Sequence, residues 1–200
     1  MNTATPSRGA LVLVHGIFDT GALFHRMARF FEQRGRRTVA PSLHPRSGAS
    51  GLDDLAGQLK AVIDREVPPE ETLDLIGFSM GGLVSRYYLQ RLGGLERVRR
   101  FVAISAPQHG SFWARCMPDN NIGCRQMRPG SDFLRDLNGD LEALARIPVL
   151  SLWTPLDLMI LPATSSLIPI GQTRRIVVPL HTLMLHDRRV FAAVAEFLEA

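Results

Sequence analysis

Residues 77–81 read Gly-Phe-Ser-Met-Gly. They lie between an apolar β-type run, Thr72-Leu73-Asp74-Leu75-Ile76, and a helix-like run, Leu83-Val84-Ser85-Arg86-Tyr87-Tyr88-Leu89. A strand, a sharp turn holding a serine, and a helix leave few folds open. Serine at such a turn takes a strained backbone conformation, and side chains two residues to either side would collide with the neighbouring strand or helix. Glycine at both places relieves this. The strain pushes the hydroxyl out beyond the sheet edge. The helix starting beside it aims free N–H groups and its positive dipole end at the place where an oxyanion would form. Ser79 is therefore the candidate nucleophile of a nucleophile elbow. The bland alternative, a glycine-rich turn that happens to contain serine, is weighed by what surrounds it.

Upstream, Ala10-Leu11-Val12-Leu13-Val14 is a continuous apolar run, as expected of a parallel strand buried on both faces. It ends at His15-Gly16-Ile17-Phe18-Asp19. With this architecture the oxyanion donors are the backbone N–H groups of Met80, just after the nucleophile, and Ile17, in the loop after the first strand. His15 lies on that oxyanion side, so a loop-shaping role is expected of it rather than that of base.

The segments LVLVHGIFDT, VAPSLHP, LDLIGFSMGGLVSRYYLQ, FVAISAPQHGS, SLWTPLDLMILPATSS and PLHTLMLHDRRVFAAVAEFL occur in this order over nearly the whole chain. In them the chain resembles the α/β-hydrolase superfamily, and within it the small bacterial lipases and esterases. The resemblance implies a Ser–acid–His triad on a mostly parallel sheet, esterase or lipase activity, and no cofactor. The 200-residue length leaves little room for the extra strands or large cap domain of some relatives.

The residues independently alternate strand and helix, which predicts a parallel sheet with helices on both faces. Helices are expected at 21–34, 52–66, 83–89 and 187–198, and further strands at 37–40, 99–105, 147–153 and 174–178. That makes a minimal, roughly six-stranded sheet in a single catalytic domain, 1–200. A long connection, 106–146, is polar and irregular in its middle and too short for an amphipathic lid domain, so an open cleft is expected.

Serine needs a base, and the base an orienting acid, in the chain order Ser, acid, His. Asp157 is the only carboxylate between Glu142 and Asp187 and follows the strand ending at Trp153. The competing reading is a solvated turn aspartate or cap. For the base, His181 and His186 both follow the last strand. His181 stands two residues beyond Pro179 and matches the family pattern; His186 is a turn or more later, where with Asp187 it reads as a helix start. His181 is preferred and His186 stays open. His25, His44 and His109 read as loop or surface residues.

Phe18, Leu156, Met159 and Leu161 are expected to form an apolar substrate wall with no charge to grip a phosphate. This favours short- to medium-chain acyl esters, with lipids and aliphatic polyesters open as larger substrates. The alternative keeps the triad in an acyltransferase or thioesterase acting on a carrier. A non-catalytic scaffold would not react at Ser79 with an organophosphonate probe.

Composition, at 46% hydrophobic and 21% charged, suits one compact enzyme domain. The net charge of +4 comes almost wholly from arginine, since Lys60 is the only lysine. The clusters Arg34/Arg36/Arg37 and Arg97/Arg99/Arg100 read as cations solvating helix C-termini. They make no continuous basic stripe with stacking aromatics, so no nucleic-acid partner is expected. They also fall at strand N-terminal ends, away from the site, which counts against a carrier landing there. No run reaches the ~18 apolar residues of a membrane span. MNTATPSRGA has no basic region followed by an apolar one, so the chain as given reads as cytoplasmic, or as exported if a leader once preceded it. A monomer is favoured. Cys116 and Cys124 are read as free thiols, to be bridged if exported. Two cysteines without clustered histidines make no zinc site, and no metal is expected.

Overall fold

A computed structural model of the chain describes residues 9–200. Most of the N-terminal stretch scanned for a leader lies outside them. The strands are β1 (Ala10–Val14), β2 (Thr38–Val39), β3 (Leu73–Phe78), β4 (Val98–Ile104), β5 (Val149–Trp153) and β6 (Gln172–Arg175). They form one sheet in the order β2-β1-β3-β4-β5-β6, parallel at every pairing. The helices are α1 (His25–Glu32), α2 (Leu52–Glu66), α3 (Met80–Arg91), α4 (Ile122–Gln126), α5 (Asp132–Gly139), α6 (Leu141–Leu144) and α7 (Arg188–Glu199).

The period of two along each strand divides the interior into two cores. Val12, Val14, Leu75, Phe101 and Ala103 point to the face covered by α2 and α3. Leu11, Leu13, Ile76, Phe78, Val102 and Ile104 point to the face covered by α1 and α7. This explains why the strands read as unbroken apolar runs. In α2, Leu52, Leu55, Ala56, Leu59 and Ile63 recur at helical spacing and are buried, while Asp53 and Asp54 in the first turn suit the positive end of its dipole. α7 is capped by Asp187, whose side chain accepts from the Arg189 N–H at 2.8 Å.

The expected six strands are present, with shifted bounds at the edges. β6 covers 172–175 rather than 174–178, because it pairs along one edge only, with Leu150–Trp153 of β5. The helix expected at 21–34 opens with a tight 3-10 turn, Gly21–Phe24, before α1. Among the described residues no helix is long and apolar enough to cross a membrane.

Part of the arginine reading needs correction. Arg97 does bond the carbonyls of Val67 and Pro68 beyond the end of α2, and Arg34 bonds that of Phe30 in α1. Arg36, however, is buried, and its Nη2 lies 2.7 Å from Oδ2 of the fully buried Asp74 in β3. Arg99 reaches the same oxygen, also at 2.7 Å. One arginine from each cluster thus meets at Asp74, while Arg34, Arg37 and Arg97 bond carbonyls at or just beyond helix ends as expected. Arg36 and Arg99 meet there because Asp74 sits inside an apolar strand, where a carboxylate is tolerated only if paired.

Replacing Asp74 by Ala would strand a buried guanidinium. It is expected to cost about 3–5 kcal/mol of unfolding free energy. Urea titration of the two proteins measures it, and a loss under about 1 kcal/mol would show that the pair contributes little.

Candidate active site

Ser79 lies between β3 and α3 with φ 53° and ψ −125°, in the left-handed half of the map. Two close approaches impose the turn. A Cβ on Gly77 would fall 2.5 Å from Gly82 Cα, and one on Gly81 would fall 2.2 Å from the Val14 carbonyl oxygen. The Ser79 N–H donates to Ile104 O of β4 at 2.9 Å, which fixes the strained residue from the sheet side.

Asp157 and His181 meet. Nδ1 of His181 and Oδ2 of Asp157 are 2.7 Å apart. The other carboxylate oxygen of Asp157 accepts from the N–H groups of Met159 and Ile160, each at 2.9 Å. Burial alone would push the Asp157 carboxyl up. The His181 hydrogen bond and charge, with the two backbone donors, outweigh it and hold the group below its ordinary value of 3.8. The His181 ring lies 4.7 Å from that of Phe78, the residue before the nucleophile. Its Nε2 is buried and has no hydrogen-bond partner among the described residues, so Ser79 and His181 are not hydrogen-bonded to each other in this structure. His186 makes no such pair. It precedes the cap of α7, with its ring 6.5 Å from that of His25.

On the oxyanion side, Met80 is the first residue of α3, so its N–H lies outside the helix's own ladder. His15 is fully buried and acts as a brace, as expected. Its Nδ1 donates to Gly16 O at 2.8 Å, and its Nε2 accepts the Leu43 N–H at 2.9 Å. Burial, first of all, lowers its pKa. The neutral ring thus uses both nitrogens to shape the loop that carries Ile17. The Phe18 N–H donates to Arg46 O at 2.8 Å and is taken up within the loop.

The space beside Ser79 is narrow, about 20 Å³, and is walled by Ile17, Pro107, Trp113, Met127, Met159 and Ile160. Ser79 and His181 are only 6% and 7% exposed. The expected open cleft is therefore not what is found. The 106–146 connection closes one side of it, with Ala114, Cys124, Met127 and Leu134 built into the core. It is a fixed wall, because the fully buried Arg86 of α3 holds it. Arg86 bonds Gln108 Oε1 at 3.0 Å, Asn138 Oδ1 at 2.9 Å and Leu137 O at 2.7 Å. Of the expected substrate wall, Met159 lines the narrow space, whereas Phe18, Leu156 and Leu161 lie exposed outside it.

Two positioning residues were not singled out from the sequence. Thr154 Oγ1 donates to Val178 O at 2.7 Å and accepts the Val178 N–H at 3.1 Å, tying the acid's loop to the base's. Ser111 Oγ donates to Met159 O at 2.7 Å and accepts the Leu161 N–H at 3.0 Å. Thr154 offered only a hydroxyl next to a strand end, and Ser111 only a hydroxyl in the loop seven residues beyond β4. Asp19 was also passed over. Burial raises its carboxyl, against the opposing charges of His15 and His181. Cys116 and Cys124 are free, the first exposed, the second buried with its thiol pushed up to about 11. Among the described residues no three His, Cys, Asp or Glu side chains group as metal ligands.

Residues 9–154 match the family described as alpha/beta hydrolase fold, and the chain belongs to that family. Over 114 residues it is 30% identical to lysosomal thioesterase PPT2 of Rattus norvegicus, a match covering 54% of this chain and 37% of that protein. The match thus spans little more than a third of that relative's length. Among solved structures it resembles the mature form of Bacillus licheniformis lipase BlEst2, with a TM-score of 0.80 and 17% identity over 98% of this chain and 94% of that one. It also resembles Aspergillus fumigatus lipase B, at 0.77 and 15%, over 96% of this chain and 52% of that one. At such identities these two structures speak for the fold alone.

A carboxyl held below its ordinary value by folding contributes stability above that value and loses it as the pH falls through the lower, folded one. The stability gap between the wild type and Asp157→Asn is therefore expected to be full near neutral pH. It should narrow below 3.8 and close at still lower pH. Thermal melts of both proteins across that range measure it, and a gap independent of pH would contradict the assignment.

Proposed function

We propose that the chain is a serine carboxylic-ester hydrolase acting on short- to medium-chain acyl esters. The observation that carries the reading is the buried Asp157–His181 pair at 2.7 Å, with His181 Nε2 unpartnered, beside the strained Ser79 elbow. In the proposed cycle, Nε2 takes the Ser79 proton as Oγ attacks the ester carbonyl. The Ile17 and Met80 N–H groups hold the tetrahedral oxyanion. The same Nε2 returns the proton to the leaving alcohol. Water, deprotonated by His181, then releases the acid from the acyl-enzyme. Asp157 keeps the proton on Nδ1 and stabilises the imidazolium throughout.

The likeness to a thioesterase over half of the chain supports a second reading, the same triad acting on thioesters. Paired substrates with one acyl group, as O-ester and as S-ester, separate the two by their kcat/KM ratio.

Ser79→Ala and His181→Ala are each expected to lower turnover of a p-nitrophenyl ester by several orders of magnitude, with unchanged circular dichroism. His186→Ala should stay near wild type. If the His186 variant is the inactive one, the base assignment fails; if Ser79→Ala keeps more than about a tenth of the activity, the mechanism does.

The narrow space beside Ser79 should restrict the acyl chain. Trp113→Ala, by removing its largest wall, is expected to raise kcat/KM for hexanoate relative to acetate by about tenfold, the scale of a few methylenes newly accommodated. An unchanged ratio across the chain-length series would place the acyl group elsewhere.

A further inference from the structure

A groove of about 610 Å³ runs between α1 and α7, on the opposite face of the sheet from α3. Its floor is Phe30 and Phe191, with ring centroids 5.4 Å apart. Its walls carry Arg26, Arg29, Arg34 and Arg188, and no aspartate or glutamate lines it. Arg36, Arg37, Arg91, Arg97, Arg128, Arg174 and Arg189 each sit against a carboxylate. The side chains of Arg26, Arg29 and Arg188 make no hydrogen bond or ion pair among the described residues. The Arg34 guanidinium is held in orientation, 3.5 Å above the Phe30 ring and bonded to Phe30 O at 2.9 Å. The positive field is felt nearby: burial, then Arg26 and His25, hold the His186 imidazole below its ordinary value.

Cations gathered around one concavity without counter-charge repel one another, and an anion removes that cost. Guanidinium forks match phosphate oxygens, and phosphate supplies more charge per volume than carboxylate. The space is larger than one phosphate fills. We propose that this groove binds a soluble small molecule carrying two or more clustered phosphate groups. A lipid headgroup is the poorer occupant. The exposed apolar residues that would enter a bilayer, Phe18, Leu156, Leu158, Leu161 and Leu180, are on loops at the strand ends, not around the groove. The site is separate from the triad and does not depend on the ester-cleaving reading.

Calorimetric titration of the full chain with inorganic pyrophosphate and with orthophosphate tests it. Pyrophosphate should bind saturably, about tenfold or more tighter than orthophosphate, with affinity falling as salt rises. Arg26→Ala with Arg29→Ala should weaken binding at least about tenfold, without lowering the ligand-free melting temperature or changing p-nitrophenyl ester turnover, since both side chains are exposed and repel their neighbours. Arg115→Ala, an exposed arginine outside the groove, should bind as wild type. The proposal is overturned by absence of saturable binding up to about 10 mM, by equal affinity for the two anions, or by equal losses in the Arg115 variant. It is also overturned if the chain sediments with anionic phospholipid vesicles through Arg26 and Arg29 while pyrophosphate fails to compete.

Discussion

Everything at the site hangs on one residue held in a conformation that serine avoids. The positive φ of Ser79 is a strain of about 1–3 kcal/mol that survives only where the surroundings leave no alternative. Here β3 is fully buried between β1 and β4, and nearly all of α3 is buried behind it. A relaxed turn would move one of these elements out of its core. Packing thus converts apolar burial into a fixed direction for one hydroxyl. The same packing leaves room only for glycine at 77 and 81.

The rest of the site is positioned by hydrogen bonds that cross between loops. Thr154 joins the loop of Asp157 to that of His181, Ser111 joins the loop of Asp157 to the connection, and His15 holds the loop after β1 against Leu43. Each brace is buried, where an unmade hydrogen bond is costly, so each favours a single loop geometry. Arg86 extends the scheme with no carboxylate partner among the described residues. Burial and its neighbour Arg91 lower it to about 10, still high enough for it to stay charged and to donate into carbonyl and amide oxygens.

This division explains what the sequence disclosed. Strand periodicity, the elbow glycines and the sole carboxylate after β5 are local or positional signals, and they single out Ser79 and Asp157 as candidates, whereas the preference for His181 over His186 rests on its place after Pro179 and on the family resemblance. Thr154–Val178 and Arg86–Leu137 link residues 24 and 51 apart, and neither end carries a pattern of its own. The connection 106–146 reads as polar and irregular, yet its scattered Ala114, Cys124, Met127 and Leu134 find the core through short helices with no long periodic stretch. The arginines misled for a related reason: in one dimension Arg36 looks like a helix-end cation, and only the sheet brings Asp74 beneath it.

The narrowness of the cavity and the exposed apolar loops around it divide recognition into two stages. On the proposed reading, the acyl group enters a slot walled by Trp113, Met127 and Met159 that the core holds rigid. The alcohol side has no matching wall and meets Phe18, Leu156 and Leu161 at the surface. A rigid slot discriminates by methylene count, because extra volume has to displace well-packed neighbours. An exposed apolar rim discriminates weakly, because it gains from any apolar surface set against it. Selectivity in such an enzyme therefore belongs to the acid half of the ester, and tolerance to the alcohol half. On that reading the asymmetry traces to Arg86, whose bonds to Gln108, Asn138 and Leu137 hold the connection in place.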